Sequence, residues 1–314
     1  MSTKDIYPAS RVTLREVGLR DGLQLVKTSP STEAKQRWIR DEYAAGVRHF
    51  EVGSFLPANT FPQFADVRDM IQTVASLPGA HGVALVLNER GANDALESGV
   101  AEIASVVSAT EAHSQANANR SREAAIANVR RLCELRDASP HKPIVHAAIS
   151  MALGCSITGD VDPNEVLRLV EKCFEAGVDV VGIADTVGYA GPKQVGDLTW
   201  AAVRLAGPKP ICVHLHDTRG MGIANASAAL DAGARILDGS LGGLGGCPFA
   251  PGATGNVVFE DLVFLCESKG FATGIDIDEL VAVRQILREQ MPNEPLYGGL
   301  ARAGLPRATA ARAA

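Results

Sequence analysis

Ile211–Cys212–Val213–His214–Leu215–His216–Asp217–Thr218 has the make-up of a short β-strand. Its residues are apolar and β-branched, it is entered after Gly207–Pro208–Lys209–Pro210, and it is left through a polar, glycine-containing turn. Side chains alternate faces along a strand, so His214 and His216 share one face while Val213 and Leu215 share the other. On both sides of this stretch, strand-like and helix-like segments alternate to the ends of the chain. Val12–Gly18, His49–Phe55, His81–Leu87, Ala101–Ser108, Pro143–Met151, Asp179–Ala184, Pro210–His216 and Arg235–Leu241 read as eight strands. Ser29–Pro30–Ser31 marks the start of a helix running to about Ala45. Further helices are expected over Phe61–Ala75, Arg120–Arg136, Pro163–Ala176, Lys193–Leu205 and Ile223–Ala232.

A recurring punctuation supports that count. Ala45–Gly46–Val47, Ser98–Gly99–Val100, Ala176–Gly177–Val178 and Ala232–Gly233–Ala234 each close a helix shortly before a strand, where glycine suits a left-handed cap. Eight βα units over about 260 residues match a closed (β/α)8 TIM barrel, an α/β fold. An open doubly wound sheet is the alternative, but no Gly-x-Gly-x-x-Gly follows the first strand. The chain is expected to be a single domain over 1–314. The barrel would span 12–270, extra C-terminal helices 271–300, and a flexible Ala- and Arg-rich tail 301–314.

Composition narrows the function classes. The 314 residues are 46% hydrophobic and 21% charged, which is ordinary for a globular chain. A net charge of −6 gives no support for a nucleic-acid or membrane-surface binder. Six cysteines without metal-type spacing point to reduced thiols rather than a disulfide framework. The first ten residues carry no apolar or Arg-rich leader and no run approaches a membrane span, so the cytoplasm is the expected location.

A barrel of this kind builds its active site at the C-terminal ends of its strands. The first strand ends in Gly18–Leu19–Arg20–Asp21–Gly22–Leu23–Gln24. The second carries Glu51 and Ser54, the fourth leads to Thr110, the sixth to Asp185–Thr186, and the seventh carries both histidines. The eighth opens into a stretch from Gly242 to Asn256 that holds six glycines and Cys247. Asp21, His214, His216 and Asn256 form a mixed N/O set that suits Mg²⁺ or Mn²⁺. Arg20 and Asp21 reach one site only if the strand has already turned between them, and Gly22 permits that turn.

Glu16–Val17–Gly18–Leu19–Arg20–Asp21–Gly22–Leu23–Gln24, His214–Leu215–His216–Asp217–Thr218, and Gly243–Leu244–Gly245–Gly246–Cys247–Pro248–Phe249 with Gly255–Asn256 together resemble the 3-hydroxy-3-methylglutaryl-CoA lyase family. The likeness covers roughly Val12 to Gly270. It implies that Asp21, His214, His216 and Asn256 bind a divalent cation, Mg²⁺ or Mn²⁺. Arg20 would stabilise enolate charge, Glu51 would orient the cluster, His214 or Asp21 would take the hydroxyl proton, and Cys247 would be the protonating acid. Arg20, Gln24, Ser54, Thr110 and Thr186, with Lys27 where the family also has a lysine, are the expected substrate contacts. The implied partner is an acyl-CoA, and the chain is expected to form a homo-oligomer, a dimer or tetramer, without nucleic acid or membrane.

Departures from the family pattern cluster away from that chemistry. Leu19 replaces a usual proline, Leu25–Val26 replace Asn-Glu, Met151 replaces a common cysteine, Ser156–Ile157 replace proline and an aromatic, and Arg219 replaces an aromatic. They bear on the acyl substituent. The expected activity is retro-Claisen cleavage of a 3-hydroxy-3-alkylglutaryl-type CoA thioester. Alternatives are a different acyl-CoA such as citramalyl-CoA, a Claisen-condensing synthase, and a non-catalytic metal- or acyl-CoA-binding barrel.

Overall fold

A computed structural model describes residues 2–246 and 255–306. Eight strands, β1 (Thr13–Glu16), β2 (His49–Ser54), β3 (His81–Leu85), β4 (Glu102–Ser108), β5 (Ile144–Ser150), β6 (Val180–Asp185), β7 (Ile211–Leu215) and β8 (Ile236–Gly239), close into a barrel in sequence order. Every neighbouring pair is parallel, and β8 returns to β1 with Leu14 beside Leu237 and Arg15 beside Asp238. The eight expected strands are all present, each end within two residues of its expected place, the usual uncertainty of strand boundaries. Outward residues such as Val52, Ile103, Ile149, Ile183 and Val213 are fully buried under the helical layer. That double burial explains why the strands read as nearly continuous apolar runs.

The helices begin and end as local chemistry dictates. Ser31 Oγ accepts from the Ala34 amide at 3.2 Å and starts the helix Thr32–Ala44. Gly46, Gly99, Gly177 and Gly233 all have φ between 74° and 107°, so the expected glycine junctions do turn left-handed before the next strand. One helix starts later than its apolar pattern suggests. Phe61–Ala75 is a tight turn over Pro62–Phe64 followed by a helix over Val67–Ala75. Asp66, the would-be cap, instead binds Lys35 Nζ at 2.8 Å and Thr32 Oγ1 at 2.8 Å.

At the N-terminal end of the barrel, Tyr7 packs with Ile144, Val180, Cys212 and Ile236 and donates its hydroxyl to Glu102 at 2.6 Å. After β8 come helices Phe259–Ser268 and Ile277–Gln290, joined by a buried Arg284–Glu260 ion pair at 2.6 Å, and a short turn of helix over Leu300–Ala303. Among the described residues no helix is long and apolar enough to cross a membrane, and Cys133, Cys155, Cys173, Cys212 and Cys266 are all free and buried.

Candidate active site

The first strand does end in a turn. Gly22 N–H reaches Val17 O at 3.2 Å and Leu23 N–H reaches Gly18 O at 2.9 Å, giving Gly18–Gly22 one wide π-type helical turn. It aims the neighbouring side chains Arg20 and Asp21 into the same cavity. Glu16 supports the turn from beneath by accepting the amides of Gly18 and Leu241.

Burial pushes the Glu16 carboxyl up to about 8, against its two backbone hydrogen bonds and with Glu260 adding to the rise. Burial also holds neighbouring Glu42 well above the carboxylate range, with the Glu16 charge next in weight. A group whose pKa rises on folding stabilises fully below its unfolded value and loses that contribution as pH climbs through the folded one. This pair should therefore lose stability progressively from near 4.5 to about 8. Glu42→Gln removes one partner and should flatten that slope in thermal unfolding measured from pH 5 to 9. Parallel curves for the two proteins would show that the pair is not protonated in the folded state.

Asp21, His214 and His216 offer ligand atoms that all lie within 4.8 Å of one another, a group that could hold a metal ion. Nε2 of His214 and Nε2 of His216 are 3.2 Å apart, and Asp21 Oδ2 lies 3.8 and 3.4 Å from them. Two imidazole nitrogens facing each other beside a carboxylate need a shared proton or a cation between them. Asn256 reaches the cluster because residues 255–257 pair with the end of β7, with His216 opposite Asn256. Gly245 makes room at φ 121°, since a Cβ there would stand 2.7 Å from Asn256 Nδ2. The amide presents Nδ2 to Asp21 Oδ2 at 2.9 Å, while its buried Oδ1 has no partner among the described residues. Rotating the amide by half a turn would put that orphaned oxygen toward the cluster, so the donor set fits a hard divalent cation.

Electrostatics reinforce the arrangement. Burial alone would raise Asp21, but Arg20 and then the two histidines hold it well below the usual carboxylate range. Arg20 stands 2.6 Å from Asp21 Oδ1 through Nη1 and 2.9 Å from Glu51 Oε2 through Nε. Burial opposes charge on His214, yet its hydrogen bond to Asp238, followed by the Asp21 charge, raises its proton affinity. That bond joins Nδ1 to Asp238 Oδ2 at 3.0 Å, and Asp238 is held in turn by Arg15 at 2.8 and 2.9 Å. Asp238 and Arg15 escaped the sequence reading. A charged residue at alternate positions of two apolar strands was the available signal, but ordinary ion pairs give the same pattern.

One cavity brings together Arg20, Asp21, Gln24, Glu51, Thr186, His214 and His216. Other expected contacts stand outside it. Lys27 is exposed and donates its backbone amide to Glu294. Thr110 caps the helix Glu111–Ala118. Ser54 lines a separate cleft with Phe55, Pro57 and Arg68. Cys247 lies outside the described residues.

The closed barrel thus carries at its mouth a carboxylate–imidazole cluster that could hold a divalent cation, with an arginine beside it. The chain belongs to the HMGL-like family, whose sequence profile matches residues 11–287. It is 35% identical over 285 residues to the hydroxymethylglutaryl-CoA lyase of Bacillus subtilis (strain 168), covering 91% of this chain and 94% of that one. It is 38% identical over 275 residues to the 3-hydroxy-3-isohexenylglutaryl-CoA/hydroxymethylglutaryl-CoA lyase of Pseudomonas aeruginosa, covering 88% and 91%. The structure of an HMG-CoA lyase from Acinetobacter baumannii, in complex with coenzyme A and 3-methylmalate, superposes with a TM-score of 0.88 at 33% identity, covering 96% and 98%. The chain is a lyase.

Proposed function

We propose that this protein is a divalent-metal-dependent carbon–carbon lyase that cleaves 3-hydroxy-3-methylglutaryl-CoA, or a 3-alkyl relative of it, to acetyl-CoA and a keto acid. The observation that carries this reading is the convergence of Asp21, His214 and His216 within 4.8 Å, in one cavity with Arg20. Asp21, His216 and Asn256 Oδ1 would hold Mg²⁺ or Mn²⁺, so that His214, the fourth expected ligand, keeps its Nε2 lone pair for proton transfer. The cation would supply Lewis acidity to the C3 hydroxyl.

The remaining steps belong to the chain. His214 gives its Nδ1 proton to the Asp238 hydrogen bond, so Nε2 has the lone pair that takes the hydroxyl proton. The electrons left on oxygen form the ketone as the C2–C3 bond opens, and that bond's pair becomes the thioester enolate. Arg20 faces the cavity and offsets the developing negative charge, while Glu51 holds its guanidinium in place. Gln24, beside Arg20 at 3.4 Å, and Thr186 line the same cavity and would contact the substrate. We assign protonation of the enolate carbon to Cys247, and location to the cytoplasm.

The test is direct. Incubation with 3-hydroxy-3-methylglutaryl-CoA and Mg²⁺ or Mn²⁺ should yield acetyl-CoA and acetoacetate in equal amounts by mass spectrometry. Binding without cleavage would favour the non-catalytic reading, and formation of a longer acyl-CoA from acetyl-CoA would favour the synthase.

A further inference from the structure

The cavity continues past the Asp21–His214–His216 cluster into the barrel, toward β3–β6. There its wall is Leu85, Ala104, Val106, Ala148, Gly182 and Ala184. Inward layers of a (β/α)8 barrel are ordinarily filled by bulky branched side chains. Here the register sets Ala148 on β5 beside Gly182 on β6, and Ala104 and Ala184 line the same wall, so small residues stand where branched ones are usual. The space they leave is the inner lobe of a cavity of about 220 Å³.

The floor of the lobe is polar. The His146 ring lies over Gly182, where a Cβ would stand 2.6 Å from Nε2. Its Nδ1 faces Arg15 Nη1 at 3.2 Å, whereas its buried Nε2 has no hydrogen-bond partner among the described residues. Apolar walls thus lead from the cluster to a floor where Arg15, Cys212 and Asp238 also line the cavity and where His146 Nε2 lacks a partner among the described residues.

We propose that this lobe is the subsite for the C3 substituent, and that the protein prefers glutaryl-CoA thioesters whose C3 carries an extended apolar chain of several carbons over the methyl compound. The proposal rests on the lyase reading and names the substrate class of the same site. A methyl group leaves Leu85, Ala104, Val106 and Ala148 facing a void, while a longer chain removes their surface from water. Each CH₂ so buried is worth about fourfold in kcat/KM, equivalent to about 0.8 kcal/mol. Past the floor the gain reverses, because a chain that covers His146 Nε2 denies it any partner. Preference therefore rises with chain length, peaks and falls.

The experiment compares 3-hydroxy-3-methyl-, propyl-, pentyl- and nonylglutaryl-CoA with the Mn²⁺-loaded enzyme. Expected is a kcat/KM for the pentyl compound at least tenfold above methyl, with nonyl below pentyl. Ala148→Leu should fill the lobe and lower the pentyl-to-methyl ratio at least tenfold. Ala104→Val is the second variant should Ala148→Leu fail to fold by circular dichroism. A methyl compound cleaved as well as pentyl, or a ratio unmoved by a folded variant, overturns the proposal. Calorimetric binding of free 3-hydroxy-3-methyl- and 3-hydroxy-3-pentylglutarate separates this from failure of the lyase reading. Should no thioester be cleaved, tighter binding of the pentyl diacid that Ala148→Leu abolishes still supports the subsite, and equal binding overturns it.

Discussion

Arg20→Lys is expected to lower kcat by about 10²–10³, or about 3–4 kcal/mol of transition-state stabilisation, while KM stays near the wild-type value. The guanidinium spans two carboxylates, Glu51 on Nε at 2.9 Å and Asp21 on Nη1 at 2.6 Å, while facing the cavity. Lysine supplies the same charge from a single point and cannot meet both carboxylates and a substrate oxygen together. The charge on that oxygen appears only as the C–C bond opens, so the loss falls on the chemical step. Steady-state kinetics of the folded variant read the result. A variant with unchanged kcat and a raised KM would make Arg20 a ground-state contact, and one with neither changed would reduce it to a structural partner of Glu51.

The other large effect concerns the cation. Excess chelator should bring turnover to background, and Mg²⁺ or Mn²⁺ should restore it. Asp21→Asn should lose metal affinity, measured by calorimetry with Mn²⁺, because it takes the only carboxylate from the cluster of Asp21, His214 and His216. The barrel should stay folded. Asp21 sits at the mouth with its side chain 16% exposed, and Arg20 keeps Glu51 as its counter-ion. Full turnover in excess chelator, with no metal detected in the protein, would remove the cation from the scheme.

Much of this architecture was readable along the chain because it is written in local chemistry. A strand buried on both faces must be apolar throughout, and a helix feeding such a strand through a tight turn favours glycine, as at Gly46, Gly99, Gly177 and Gly233. Strand alternation alone put His214 and His216 on one face, and the positions of strand ends gathered Asp21 and Arg20 with them. The late start of the helix at Val67 was not visible, because Asp66 is claimed by Lys35, a residue 31 positions away in sequence.

What the chain order could not supply is which distant groups share the barrel interior. Asp238 on β8 orients His214 on β7 and is itself gripped by Arg15 on β1, 223 residues earlier. Any of these charges could have met solvent, and closure of β8 against β1 turns them inward. Ser54 and Thr110, polar residues near strand ends, and Lys27, expected from the family likeness, show the converse: none of them lines the cavity. Residue type and periodicity specify the elements and the face a side chain occupies. Barrel closure, a property of all eight strands at once, decides which faces meet, and sets Ala104 and Ala148 on the wall of the cavity while the His146 ring covers Gly182.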